Sequence, residues 1–286
     1  MQHELTAYAL PFQVCVGEPD SLWTSASRAT HPTTLVVTPV QLHKRNIETR
    51  LREQARPLSS LTSRRLRGVA EDLLEAAGEP AIAADRVDRL VYTADILAES
   101  NRPAYDHLAA VIGEPLSHHV ETVEQVRSEF ELVTGFHPRR MEKLADAVQS
   151  DARRASGPAT IDTLDLLAGV SQLHHDLHDH LTADAAVGTT ASRLASETAL
   201  LARAIRELVA DPDIWAAAYP AVEQLAVAGV SMLTAPLEDL LCVVATQTDT
   251  DVHLYLRTAS GPAINDHLAR TTAIDAPGTQ EVFSWR

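Results

Sequence analysis

Lysine is nearly missing: the 286-residue chain has Lys44 and Lys143 and no other, and arginine supplies the rest of its 24 basic residues. Against them stand 39 acidic residues, for a formal net charge of −15. A carboxylate-rich, lysine-poor surface suits a cytoplasm at very high salt, where carboxylates stay hydrated and long-range repulsion is screened over a short distance. The source expected from this balance is an extreme halophile. Acidity there does not exclude contact with nucleic acid, but the contact has to be local, because charge-driven affinity falls with salt.

Other absences narrow the chemistry. Aromatic residues make up 4% of the chain, so no base-stacking platform of the usual single-strand type is apparent. Cys15 and Cys242 are the only cysteines. They form no CxxC pair and no zinc spacing, and their apolar surroundings suit small buried hydrophobes in a reducing cytoplasm. Apolar runs such as Leu35–Val37 and Leu240–Ala245 are far too short to span a membrane. The opening segment, MQHELTAYALPFQV, lacks the basic stretch and long apolar run of a secretory signal. A cytoplasmic protein with no membrane partner is therefore expected. There is no GxSxG, no HExxH, no EF-hand loop and no complete dinucleotide fingerprint. Ser231 lacks the flanking glycines of a nucleophile elbow.

What is present is a globular chain, 45% hydrophobic and 22% charged, long enough for one or two domains. Phe12–Val16 and Leu35–Val37 read as buried strands. The helix-compatible stretch Asp20–Thr30 between them makes a crossover of about the minimum parallel length. A helix over Gln41–Gln54, a polar break at Pro57–Ser60 and a helix over Ser63–Ala77 follow, the last ending at Gly78. From Pro80 to about Asp211 the pattern is helical throughout. Its apolar stripes are Val87, Leu90, Val91, Ala94 and Leu97; Met141, Leu144, Ala145 and Val148; and Leu194, Leu201, Ile205 and Leu208. Strand-like patterning returns with Leu225–Val230 and Val252–Leu256 around a helix at Ala235–Ala245. A short helix at Ile264–Arg270 and a last strand at Glu281–Trp285 complete it. Neither end has enough strands for a sheet alone. The expected fold is α/β, a parallel sheet of the P-loop or Rossmann-like type interrupted by a large all-helical insertion. Its core is residues 1–78 with 220–286, and its insertion 79–219.

The first βα turn reads Gly17-Glu-Pro-Asp-Ser-Leu22-Trp23-Thr24. A working phosphate loop, GxxxxGK[ST], has its first glycine and its hydroxyl residue at this spacing, after a strand and before a helix. Here Leu22 stands at the second glycine and Trp23 at the lysine. The glycine lets backbone N–H groups close around phosphate, and the lysine neutralises its charge. This turn is not expected to hold ATP. It fits equally an ordinary βα connection that never did.

The order of segments carries a resemblance. TLVVTPVQLHKRNIETRL (Thr34–Leu51) resembles the second conserved strand–helix of superfamily-1 helicases, and SSLTSRRLRGVAEDLLEAAG (Ser59–Gly78) resembles the segment after it. In UvrD-like proteins a helical insertion and then a magnesium-holding Asp-Glu strand follow. Leu225–Leu241 occupies that place, with Ala228-Gly229 where the acidic pair would stand. The strand, glycine and Pro-Leu-Glu helix are similar to the AddB/RecC/RexB group, whose helicase-like domain is partly or wholly inactive, and Val252–Arg257 resembles the next strand. The resemblance covers about Phe12 to Arg257. It implies a first motor domain with degenerate ATP motifs and no nuclease domain. It further implies a non-enzymatic, cofactor-free accessory protein in DNA repair or recombination, with single-stranded DNA or a nuclease or helicase subunit as partner. Thr38, Lys44, Arg45, Thr62 and Arg64 are the candidate DNA contacts; otherwise they are surface charges balancing Glu48, Glu53 and Glu71. A regulatory or interaction protein on the same degenerate fold, without DNA contact, is the alternative.

LHHDLHDH (Leu173–His180) is the most conspicuous cluster. His174 and His178 stand at i, i+4 and are the only candidates for sharing a metal on one helix face. They flank the stripe Leu166, Val170, Leu173 and Leu177 on one side, with His180 on the other. Two ligands do not make a site, and nothing places His118, His119 or His137 nearby. The expected role is a solvated helix flank with no metal.

Overall fold

The computed structural model describes residues 10–16, 32–39, 41–81, 84–99, 103–154, 159–184, 196–230, 232–256, 263–264, 271–273 and 283–285. The chain forms two compact units, residues 1–79 with 201–286, and residues 80–200.

The first unit is built on one sheet. Its strands are β1 (Gln13–Val16), β2 (Thr34–Thr38), β3 (Thr62–Arg65), β4 (Gln224–Val230) and β5 (Asp251–Leu256). They lie in the order β1-β5-β4-β2-β3, and every pairing is parallel. Two strands from beyond the insertion thus lie between two that precede it. All of β2 is buried and β4 nearly so, the continuous apolar runs required of strands covered on both faces. Their amino ends are stitched together: the N–H groups of Glu223 and Gln224 both donate to the Thr33 carbonyl, at 2.8 and 3.1 Å. Helices α1 (Gln41–Glu53) and α2 (Leu66–Ala76) return along the sheet. Ile47 and Leu51 of α1 join Val36, Ala226, Ala228 and Tyr255 in one apolar cluster.

Two elements of this unit differ from the sequence pattern. Thr62–Arg65 is a strand, and the helix expected from Ser63 begins at Leu66. TSRR has no apolar residue, and the polarity that suits it to a sheet edge hides it from a periodicity search. The terminal strand exists as β7 (Phe283–Trp285) but pairs antiparallel with β6 (Thr271–Ala273) in a separate two-stranded sheet. The connection between them is too short for a parallel crossover. The crossover helix at Asp20–Thr30 and most of Ile264–Arg270 lie outside the described residues.

The second unit is helical among its described residues: α3 (Arg86–Glu99), α4 (Pro103–Ile112), α5 (Val120–Thr134), α6 (Pro138–Arg154) and α7 (Ala159–Asp184). Helix α8 (Glu197–Ala210) begins in it and continues into the first unit. Leu108, Val170, Leu173 and Leu177 lead its core. Gly169 lets α4 and α7 approach closely, since a Cβ there would meet Leu108 Cγ at 2.6 Å and the Ala104 carbonyl at 2.7 Å.

The stripe expected on α3 faces this core only in part: Leu97 packs against it and Leu90 and Ala94 are half-buried, but Val87 and Val91 are 66% and 52% exposed, and the fully buried residues are Thr93 and Ile96. An ion pair decides the face. Arg89 Nε donates to Glu124 Oε1 at 2.8 Å, and Glu124 also accepts from Arg127 at 2.7 and 3.0 Å. Arg127, almost fully buried, reaches Glu131 at 3.1 Å, and Ser196 donates to the same carboxylate. Burial opposes ionisation of Glu124, but the two guanidiniums prevail and hold its carboxyl below the usual range.

Two substitutions test this packing in the full chain. Gly169→Ala is expected to cost about 1–3 kcal/mol in denaturant unfolding, because backbone and a core leucine block the methyl. Arg127→Ala leaves Glu131 buried without its cation and Glu124 with Arg89 alone, and should cost about 3–5 kcal/mol.

Candidate functional site

In an open parallel sheet, ligands bind outside the carboxyl ends of the strands. Here that edge is formed by Val16, Thr38, Arg65, Val230 and Leu256. The turn Gly17–Thr24, with Leu22 and Trp23, continues from β1 but lies outside the described residues. On β4, Ala228 is buried, and the register against β5 slips between Ala228 and Val230. The residue between them, Gly229, has φ +79°. A glycine in the left-handed region at a bulge is the expected chemistry, because an L side chain there is strained. Neither residue carries a side-chain oxygen, so a magnesium ion finds no carboxylate at this pair.

The remaining candidates are only partly brought together. Thr38 ends β2 at this edge; its side chain is fully buried, and its Oγ1 has no hydrogen-bond partner among the described residues. Lys44 and Arg45 lie in the first half of α1, which starts from the same edge; Arg45 is exposed and Lys44 partly so. Thr62 starts β3 in register with Leu35, so it stands three residues back from Thr38, roughly 10 Å along the sheet. Arg64 is committed elsewhere: its Nε donates to Asp72 Oδ2 at 2.8 Å, and the Tyr219 hydroxyl donates to the same oxygen at 2.8 Å. Burial, reinforced by Asp72, raises the Tyr219 phenol far above its ordinary value. Thr38, Lys44 and Arg45 therefore share the carboxyl edge, Thr62 does not, and Arg64 balances a carboxylate.

Sequence patterning missed Glu238. It lies in the first turn of α9 (Ala235–Gln247), just beyond β4, and is the only buried carboxylate of the first unit among the described residues. Its place inside the apolar run Pro-Leu-Glu-Asp-Leu-Leu was the available clue.

The histidines separate. His174 is packed rather than solvated: its ring stacks on Phe136, with centroids 3.7 Å apart and planes 14° from parallel. Burial, with Arg127 nearby, lowers its pKa from 6.5 to about 3. His178 is exposed, and His180 makes an edge contact with Tyr92. Among the described residues no three His, Cys, Asp or Glu side chains are placed to hold a metal ion. Cys242 is buried and Cys15 half-buried, both as free thiols, and burial raises the Cys15 thiol. No described helix is long and apolar enough to cross a membrane.

A parallel sheet assembled from strands on both sides of the helical segment defines an α/β core with a helical insertion. The chain belongs to the family described as halobacterial UvrD-like protein, whose model matches residues 1–284. It is thus related to the UvrD helicases, and the halobacterial description accords with the acidic, lysine-poor composition. No curated protein matches the chain.

His174 generates a pH prediction. Its folded pKa lies below that of the unfolded chain, so the associated stability is complete above pH 6.5 and is lost as pH falls towards 3. Between these limits the unfolded state binds about one more proton at this site, a slope of about 1.4 kcal/mol per pH unit. In urea titrations across this range, His174→Gln should flatten the profile by about one proton. An unchanged slope would show that the stacked ring titrates normally.

Proposed function

We propose that this protein is an inactivated, helicase-like accessory factor of DNA repair or recombination, working in the cytoplasm through DNA or a partner subunit and not through ATP hydrolysis. One observation carries this reading. Where its relatives' resemblance calls for the magnesium-binding acidic pair, β4 ends in Ala228 and a left-handed Gly229 at a bulge. Metal-assisted phosphoryl transfer needs an ion bridging the β- and γ-phosphates and a cation at the loop. Leu22 and Trp23 stand at the loop positions that would cradle phosphate and supply that charge, leaving Gly17 and Thr24 as the retained pair. Likeness to the AddB/RecC/RexB group, in which this domain serves a larger machine, supports the accessory role.

The DNA-contact set divides between the two forms of this reading. Thr38, Lys44 and Arg45 support contact with a sugar–phosphate backbone at the carboxyl edge. The displaced Thr62 and the Asp72-bound Arg64 favour the alternative, a regulatory or interaction protein on the same core without DNA contact.

Purified protein with magnesium and ATP at molar KCl is expected to show no turnover above buffer, and Thr24→Ala no change. Turnover abolished by Thr24→Ala would end the inactive reading. On oligothymidylate, a Lys44→Glu/Arg45→Glu variant should bind about tenfold more weakly, with a smaller salt slope. Equal binding by variant and parent would leave the alternative.

A further inference from the structure

Basic residues of this acidic chain are concentrated in one segment that ends on a sheet edge. Eight of its 24 basic residues fall between Lys44 and Arg67, and only two of its 39 acidic ones, Glu48 and Glu53. This segment is α1, the turn after it, and β3. Strand β3 closes one end of the sheet order, so among the described residues it has β2 on one side and no strand on the other. Arg64 and Arg67 are matched by Asp72 and Glu71. Arg45, Arg52 and Arg65 are exposed and make no ion pair among the described residues. Leu58, just before β3, is 45% exposed.

We propose that this edge receives an acidic, extended segment of a protein partner, laid beside β3 as an added strand. Strand addition supplies the backbone hydrogen bonds that an edge otherwise takes from water, while side chains give the selectivity. The arginines provide that selectivity as planar forks, which pair bidentately with carboxylates and keep this geometry where long-range attraction is screened. Two observations favour polypeptide over nucleic acid. The free edge offers peptide donors and acceptors that only another extended peptide matches in spacing. Residues 41–68 contain no Phe, Tyr or Trp on which a base would stack. Short charged edge strands also protect sheets from one another, and that protection is relieved by a partner of opposite charge. The proposal rests on the accessory reading only in making the partner a protein, and it stands or falls separately from the nucleotide test.

The probe is a short peptide alternating glutamate and threonine, titrated into the full chain at molar KCl, with the lysine–threonine peptide as its counterpart. Binding is expected to slow amide exchange at Thr62–Arg65, and an Arg52→Glu/Arg65→Glu variant, both positions being exposed, should bind about tenfold more weakly. Circular dichroism of the variant checks that it is folded. Unchanged exchange at β3, equal affinity for the lysine peptide, undiminished binding by the folded variant, or displacement of the peptide by oligothymidylate would each overturn the proposal.

Discussion

Everything in the first unit depends on the backbone ladder that seats β4 between β2 and β5. The ladder joins residues almost 200 positions apart, for example Thr34 with Gln224. Closing so long a loop costs little more than closing one of half the length, because the entropy grows only logarithmically. The return comes from two strands buried on both faces. The helical insertion therefore imposes little thermodynamic penalty on the core. Its length bears mainly on the rate of folding, since central strands have to wait for distant partners.

The helical unit solves a different problem. Its core admits Arg127, Glu124 and Glu131, whose desolvation is expensive unless each is fully matched. Matching is achieved by Arg89 and Ser196, from segments on either side of α5. At high salt this arrangement has a specific merit: ion pairs at the surface are weakened by screening, whereas a pair removed from solvent is screened much less. The same network gives direction to helices whose apolar stripes do not settle their rotation. On α3 it leaves Val87 and Val91 facing outward.

Legibility in the sequence followed burial. The apolar strands were plain because Phe12–Val16, Leu35–Val37, Leu225–Val230 and Val252–Leu256 are short, largely apolar runs. The last three are the inner strands, whose pattern double coverage demands. Strand β1, expected to be buried, lies at the sheet edge and is only half-buried. That both ends build one sheet followed from counting strands. What stayed hidden is set by partners distant in sequence. Edge strand β3 carries only polar residues, and His174 has the spacing of a solvated flank yet stacks on Phe136, from a different segment of the chain. The Glu124-Arg127-Glu131 spacing could be read as a helical ion-pair pattern, but nothing local marks it as buried. Of the candidate residues, Thr38 ends β2 at the carboxyl edge, and Lys44 and Arg45 lie in the helix that starts from it, as the chain order suggested. Thr62 was misplaced because it was taken to precede a helix, when it opens a strand pointing the same way as β2.

Gly229 fixes the shape of the carboxyl end of β4. A residue with a side chain at that bulge would have to adopt a left-handed backbone, at about 1–2 kcal/mol, or else draw the strand end back into register. A substitution at this position would therefore alter the course of the strand end as well as the side chain it presents, so the shape of this edge and its chemistry cannot be varied independently.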